Sequence, residues 1–144
     1  KEEIAAAFRP GDHLSTFGGN PVSCAAALAN IDFIQKENLC AQAREKGAYL
    51  VEKLTLLQKQ FPLIGDVRGK GLMVGIELVR DADLTPAAAE AEAITAACLQ
   101  KGVLVGQGGV YANVIRIQPP LVITKAQLDL ALRALEESFR EVQH

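Results

Sequence analysis

Few residues in this chain have types and spacing suited to chemistry. The richest stretch is Ser15-Thr16-Phe17-Gly18-Gly19-Asn20-Pro21. It sets two hydroxyls and two glycines just ahead of a helix start, where backbone N–H groups favour an anion such as phosphate. A capped helix behind a flexible loop accounts for the same residues, with Asn20 as N-cap and Pro21 at the first helical position. The second point is Arg116. Ile115 and Ile117 flank it, so on a strand both face the opposite side of the sheet from its guanidinium. If the isoleucines face the helices, Arg116 points away from the core, where it can grip a carboxylate through two parallel hydrogen bonds. A solvent-facing arginine or a structural salt bridge fits that position as well. Glu77 is a partner for either Arg68 or Arg116, and spacing does not choose between them.

Other candidates carry less. Gly106-Gln107-Gly108-Gly109 lacks the Lys-Ser/Thr of a phosphate-binding P-loop and reads as a turn. Gly69-Lys70-Gly71 reads as hairpin chemistry. His13 lies in a turn and His144 is the last residue, expected to fray. No Ser/His/Asp set with a nucleophile elbow is visible, and no metal-ligand spacing. Cys24, Cys40 and Cys98 are too few and too scattered for a disulfide framework or a zinc site. They read as small, buried, reduced thiols of a cytoplasmic protein.

The elements that must position these residues follow from periodicity. A short helix is expected over Glu2–Phe8 and a turn at Pro10-Gly11-Asp12. An alanine-rich helix runs from Pro21 to about Lys36. Asn38 is placed to cap a second helix, whose buried stripe is Leu39, Ala43, Gly47, Leu50, Leu54, Leu57 and Phe61. Pro62 ends it. A hairpin follows, with arms Ile64–Arg68 and Leu72–Val79 around Gly69-Lys70-Gly71. Leu72, Val74, Ile76 and Leu78 share one face of the second arm. Met73, Gly75, Glu77 and Val79 share the other, so coverage on both sides is expected. Thr85-Pro86 is expected to open a third helix that stops at Gly102. Val103–Val105 is expected as a strand, Gly106–Gly109 as a loop, and Val114–Gln118 as a further strand. Thr124 and Gln127 have capping-box spacing at the head of the last helix. The order α-α-β-β-α-β-β-α with a hairpin gives an α+β fold, a small antiparallel or mixed sheet with helices on one face.

The bulk properties are those of an ordinary globular domain. In 144 residues the apolar share is 49% and the charged share 22%. A net charge of −2 gives no electrostatic case for nucleic acid or an anionic membrane. The apolar runs are too short for a membrane span. The chain starts at Lys1 rather than Met, as a cut end would.

Taken together, three ordered motifs resemble the class III (omega-type) aminotransferases. They are His13-Leu14-Ser15-Thr16-Phe17-Gly18-Gly19-Asn20-Pro21, Val67-Arg68-Gly69-Lys70-Gly71-Leu72-Met73 and Ile115-Arg116-Ile117-Gln118-Pro119-Pro120-Leu121. Gly65-Asp66-Val67 and Leu104-Val105-Gly106 look most like the alanine–glyoxylate branch. The resemblance implies the C-terminal small domain of a fold type I pyridoxal-phosphate enzyme. Residues 1–20 would be the end of the large-domain segment with the cofactor-phosphate loop, and 21–144 the small domain with its linking helix. It implies that Thr16, with Ser15 beside it, meets the cofactor phosphate of the other subunit of a homodimer. It implies that Arg116 holds the carboxylate of small-molecule amino and oxo acids. It places the cofactor-bearing lysine upstream of Lys1, since none of the eight lysines stands in the family's lysine context. The chain alone is then expected to be inactive. A stand-alone binding domain and another class III activity, such as a decarboxylase or an epimerising enzyme, remain the alternatives.

Overall fold

The computed structural model describes residues 1–143, so His144 lies outside the described residues. The chain divides into two compact units, Lys1–Glu37 and Asn38 onward.

In the first unit, α1 spans Glu2–Ala5 and α2 spans Pro21–Lys36. The expected Glu2–Phe8 helix shrinks to one turn. Four residues form too few hydrogen bonds to repay nucleation. α2 begins where the sequence places it. Asn20 has extended backbone, its Oδ1 accepts the Ser23 N–H at 2.9 Å, and Pro21 needs no partner for a missing N–H. No residue of this unit is buried. Ile4, Phe8, Leu14, Phe17, Leu28 and Ile31 all stand exposed.

The second unit holds α3 (Leu39–Gln58), β1 (Ile64–Lys70), β2 (Met73–Leu78), α4 (Ala88–Gln100), β3 (Gly106–Gly108), β4 (Val114–Ile117) and α5 (Lys125–Val142). The strands form one antiparallel sheet in the order β1-β2-β4-β3. Val74, Ile76 and Leu78 of β2, and Ile115 and Ile117 of β4, are buried on one face. α3 and α4 cover that face, and α5 packs against both helices through Leu128, Leu132, Leu135 and Phe139. The α3 stripe is buried as its period predicts, and Phe61 meets Phe139 with ring centroids 5.4 Å apart. Thr124 and Gln127 close the expected capping box. This is the α+β arrangement, with helices on one side of a small sheet.

Several local expectations are corrected. Lys70 pairs with Met73, so the hairpin turn is Gly71-Leu72 and not Gly69–Gly71. Gly71, at φ +55, supplies the positive φ that such a two-residue loop needs at its first position. Val103–Val105 is an extended link, while the expected glycine loop supplies β3. Gln107 fixes this choice, because its amide donates to the Ala112 carbonyl at 2.7 Å and the Ala88 carbonyl at 3.2 Å. α4 starts at Ala88, because Pro86 is bridged to Val79 and the Thr85 N–H goes to Asp81 Oδ1 at 3.0 Å. Asn38 sits in the left-handed region and makes no side-chain cap. Cys24 and Cys40 are exposed, and only Cys98 is buried. On the second face of the arm, Met73 is 59% exposed, Gly75 and Glu77 are half-buried and Val79 is buried.

α3 approaches the hairpin so closely that a Cβ on Gly47 would run into the Gly71 carbonyl. Alanine at an exposed helix site gains about 1 kcal/mol over glycine. Here the clash is with backbone, which cannot swing aside. Gly47→Ala is expected to lower unfolding free energy by about 1–3 kcal/mol in urea titrations, the range for overpacked cores. A variant as stable as the parent would contradict the close approach.

Hydrogen bonds from Thr85 hold the Asp81 carboxyl below its usual range, and the Arg80 guanidinium does the same for Glu90. A depressed folded pKa contributes stability at neutral pH that is lost as pH falls below about 4, the ordinary carboxylate value. Amide exchange at Asp83 and Thr85, both bonded to Asp81 Oδ1, should lose protection in that acid window. Protection unchanged down to the onset of global unfolding would count against it.

Candidate functional site

Ser15 and Thr16 share one loop of the first unit, and Arg116 belongs to the second. The loop is built around Asn20. Besides capping α2, its Nδ2 donates to the Phe17 carbonyl at 2.8 Å and to Ser23 Oγ at 2.9 Å. The Asn20 N–H reaches the same Phe17 carbonyl at 3.4 Å. This doubly held carbonyl fixes the turn over Phe17–Asn20, and Gly19 supplies its φ of +75. Gly18 is needed for space, since a Cβ there would stand 2.9 Å from Ser15 Cβ and Oγ. Ser15 and Thr16 are exposed. Among the described residues, no backbone or side-chain acceptor takes the N–H groups of Ser15, Thr16, Phe17, Gly18 or Gly19. The loop therefore offers two hydroxyls and a run of unpartnered donors. His13 is exposed and makes no side-chain hydrogen bond among the described residues.

Arg116 lies on the open face of the sheet. Arg68, Gly75, Arg116 and Gly106 stand opposite one another across β1, β2, β4 and β3. The two arginines are two strand spacings apart, about 10 Å, with only glycine between them. Their electrostatic situations differ. Arg68 Nη1 reaches Asp66 Oδ2 at 2.7 Å and Glu77 Oε2 at 2.6 Å. Those two carboxylates raise its pKa further above the ordinary value, the Asp66 hydrogen bond most and that of Glu77 next. Glu77 thus goes to Arg68. The Arg116 side chain makes no ion pair or hydrogen bond among the described residues. Arg116 borders a cleft of about 670 Å³, lined also by Val105, Gly106, Ile117, Gln118, Pro119, Ile123 and Leu128. An unpaired, planar, fivefold donor over such walls suits one carboxylate with an apolar remainder.

The sequence reading missed how Arg68 is neutralised and what lies under Arg116. Both depend on register, and β3 lies three residues beyond the expected strand. Among the described residues, no cluster of three or more His, Cys, Asp or Glu side chains is placed to hold a metal. No described helix is long and apolar enough to cross a membrane.

Residues 1–139 match the model of the class-III aminotransferases, and the chain belongs to that family. It is similar to an alanine–glyoxylate aminotransferase 2 homologue of Arabidopsis thaliana, named mitochondrial, at 46% identity over 97% of this chain and 30% of the relative. It is also similar to a solved Bacillus anthracis aminotransferase, with a TM-score of 0.87 and 36% identity over 98% of this chain and 34% of that one. An amine transaminase from an uncultivated Pseudomonas species, solved in its pyridoxal-phosphate-bound form, matches with a TM-score of 0.82 and 37% identity, covering 91% of this chain and 30% of that one. The chain thus spans about a third of the proteins it matches. Enzymes of the family depend on pyridoxal phosphate. The Ser15–Gly19 donor set fits the ester phosphate of that cofactor, with hydroxyl and N–H donors present and no acidic side chain between Ser15 and Pro21 to oppose it.

Removing the Asn20 side chain should release the turn that carries these donors. Asn20→Ala is expected to weaken the start of α2 by about 1 kcal/mol. The Ser23 amide, freed from Oδ1, should exchange several times faster, with amides beyond Asn38 unchanged. Equal exchange in both proteins would show that the cap does not hold the loop.

Proposed function

We propose that this chain is the C-terminal portion of an aminotransferase that moves an amino group between an amino acid, or an omega-amino acid, and a 2-oxo acid, with L-alanine as a donor on its similarity to the alanine–glyoxylate relative. The observation that carries the reading is the unpaired Arg116 beside a fully neutralised Arg68. Among the described residues of the row Arg68, Gly75, Arg116 and Gly106, Arg116 is the cation left for a substrate carboxylate. The donor leaves as its 2-oxo acid and the acceptor leaves as an amino acid, so amino group and carbonyl oxygen trade places without an external oxidant. When bound, pyridoxal phosphate supplies the electron sink for the carbon that loses its proton.

The chain's own residues do the holding. Ser15 and Thr16 receive the cofactor phosphate of the neighbouring subunit in a homodimer through hydroxyl and N–H donors. Arg116 grips the substrate carboxylate through two parallel hydrogen bonds and so fixes which face of the substrate carbon meets the cofactor. The lysine that carries the cofactor comes from a segment outside these 144 residues, so the chain alone is inactive. The exposed apolar side chains of the first unit support this reading, since a unit without a buried residue gains its stability from protein packed upon it. The free thiols agree with a cytoplasmic enzyme.

In the full-length enzyme, Arg116→Ala should raise KM for L-alanine at least about thirtyfold, the loss expected for one truncated partner of a charged pair. Cofactor absorbance should stay at the parent level. Thr16→Ala should reverse the pattern, weakening cofactor retention about tenfold with little change in KM. Unchanged kinetics in Arg116→Ala would defeat the carboxylate role. A single-lysine pyridoxal adduct on the 144-residue chain, carrying turnover, would defeat the fragment reading.

A further inference from the structure

Gly106 stands opposite Arg116 on the edge strand β3. Its φ is negative or extended, so the backbone does not require glycine there. A Cβ at this position would lie 3.4 Å from Arg116 Nη2 and 3.5 Å from Nε, with the Arg116 carbonyl at 3.7 Å the third neighbour. The guanidinium therefore does not stand off the sheet. It lies down across the neighbouring strand, and the surface it lies on is bare backbone. Glycine in a strand forgoes side-chain packing and often marks a close approach by another group. Here that group is the one unpaired guanidinium of the open face.

The same strand contains its own comparison. Gly108 is two residues on, so it shares the face of Gly106. A Cβ on Gly108 meets nothing within 4 Å. The two glycines differ in having, or not having, a guanidinium above them.

We propose that Gly106 is a positioning residue for carboxylate recognition: its lack of side-chain atoms beyond Cβ leaves the bed on which the Arg116 guanidinium rests, with its outer donors free. This rests on Arg116 being the carboxylate group, as proposed above. A methyl at 106 would stand at ordinary van der Waals distance from Nη2 and Nε, so alanine is accommodated beside the guanidinium. A valine places a further carbon where the guanidinium now lies and lifts it off the strand. The changed quantity is the direction of the donors, which is felt when the carboxylate binds.

The test compares four variants of the full-length holoenzyme with L-alanine as the probe. Arg116→Ala sets the size of the complete loss. Gly106→Val should raise KM for L-alanine about tenfold or more with kcat within about twofold of the parent, the pattern of lost uniform binding. Gly106→Ala, whose methyl fits at contact distance, should stay close to the parent in KM. Gly108→Val should match the parent in KM, kcat and thermal midpoint. If Gly106→Val does not fold, Gly106→Thr takes its place, and a KM within experimental error of Gly108→Val overturns the inference. Equal KM in Gly106→Val and Gly108→Val, beside a raised KM in Arg116→Ala, also overturns it while leaving the carboxylate role intact. No effect in Arg116→Ala removes the reading on which it rests.

Discussion

Ile115 and Ile117 are buried on the core face of β4, against α4, and their burial determines where Arg116 can point. Strand side chains alternate, so two buried isoleucines place the residue between them on the other face. A one-residue slip would bury a guanidinium and expose two isoleucines, which is prohibitively costly. β2 enforces the same alternation, with Val74, Ile76 and Leu78 on the core side. The hydrophobic core therefore acts as the aligning device for a polar face it never touches.

On that face the charges are sorted by local pairing. Asp66 and Glu77 converge on Arg68, and nothing described converges on Arg116. A half-exposed pair of this kind contributes little to stability. Its larger effect is electrostatic sorting, because it neutralises one of two cations that share a row. Gly75 between them and Gly106 beyond keep the row free of bulk. The Thr16 loop shows a comparable economy: one side chain, Asn20, both caps a helix and fixes the turn whose donors are left open.

How much of this could be read from the residues differs by element. The α3 stripe, the Asn20-Pro21 helix start, the capping box at Thr124 and the outward direction of Arg116 were legible, because each depends on local spacing or on a simple period. The hairpin turn was misplaced by two residues. Several glycines stand near it, and only the contact with α3 and the pairing of Lys70 with Met73 select Gly71-Leu72. β3 was misplaced because valines have strand propensity and glycines do not, yet an edge strand is chosen by what it pairs with. Two of three cysteines read as buried are exposed. A small apolar side chain in an alanine-rich helix gives no sign of which side finds a neighbour.

The sequence by itself determined the class of fold, the family motifs and the residue types suited to phosphate and carboxylate, since these follow from periods, caps and ordered local patterns. Only the tertiary structure decided which acid neutralises which arginine, and on what surface Arg116 rests. Those are matters of register between strands far apart in the chain. Register is set by the burial of whole faces, and no short stretch of residues contains that information.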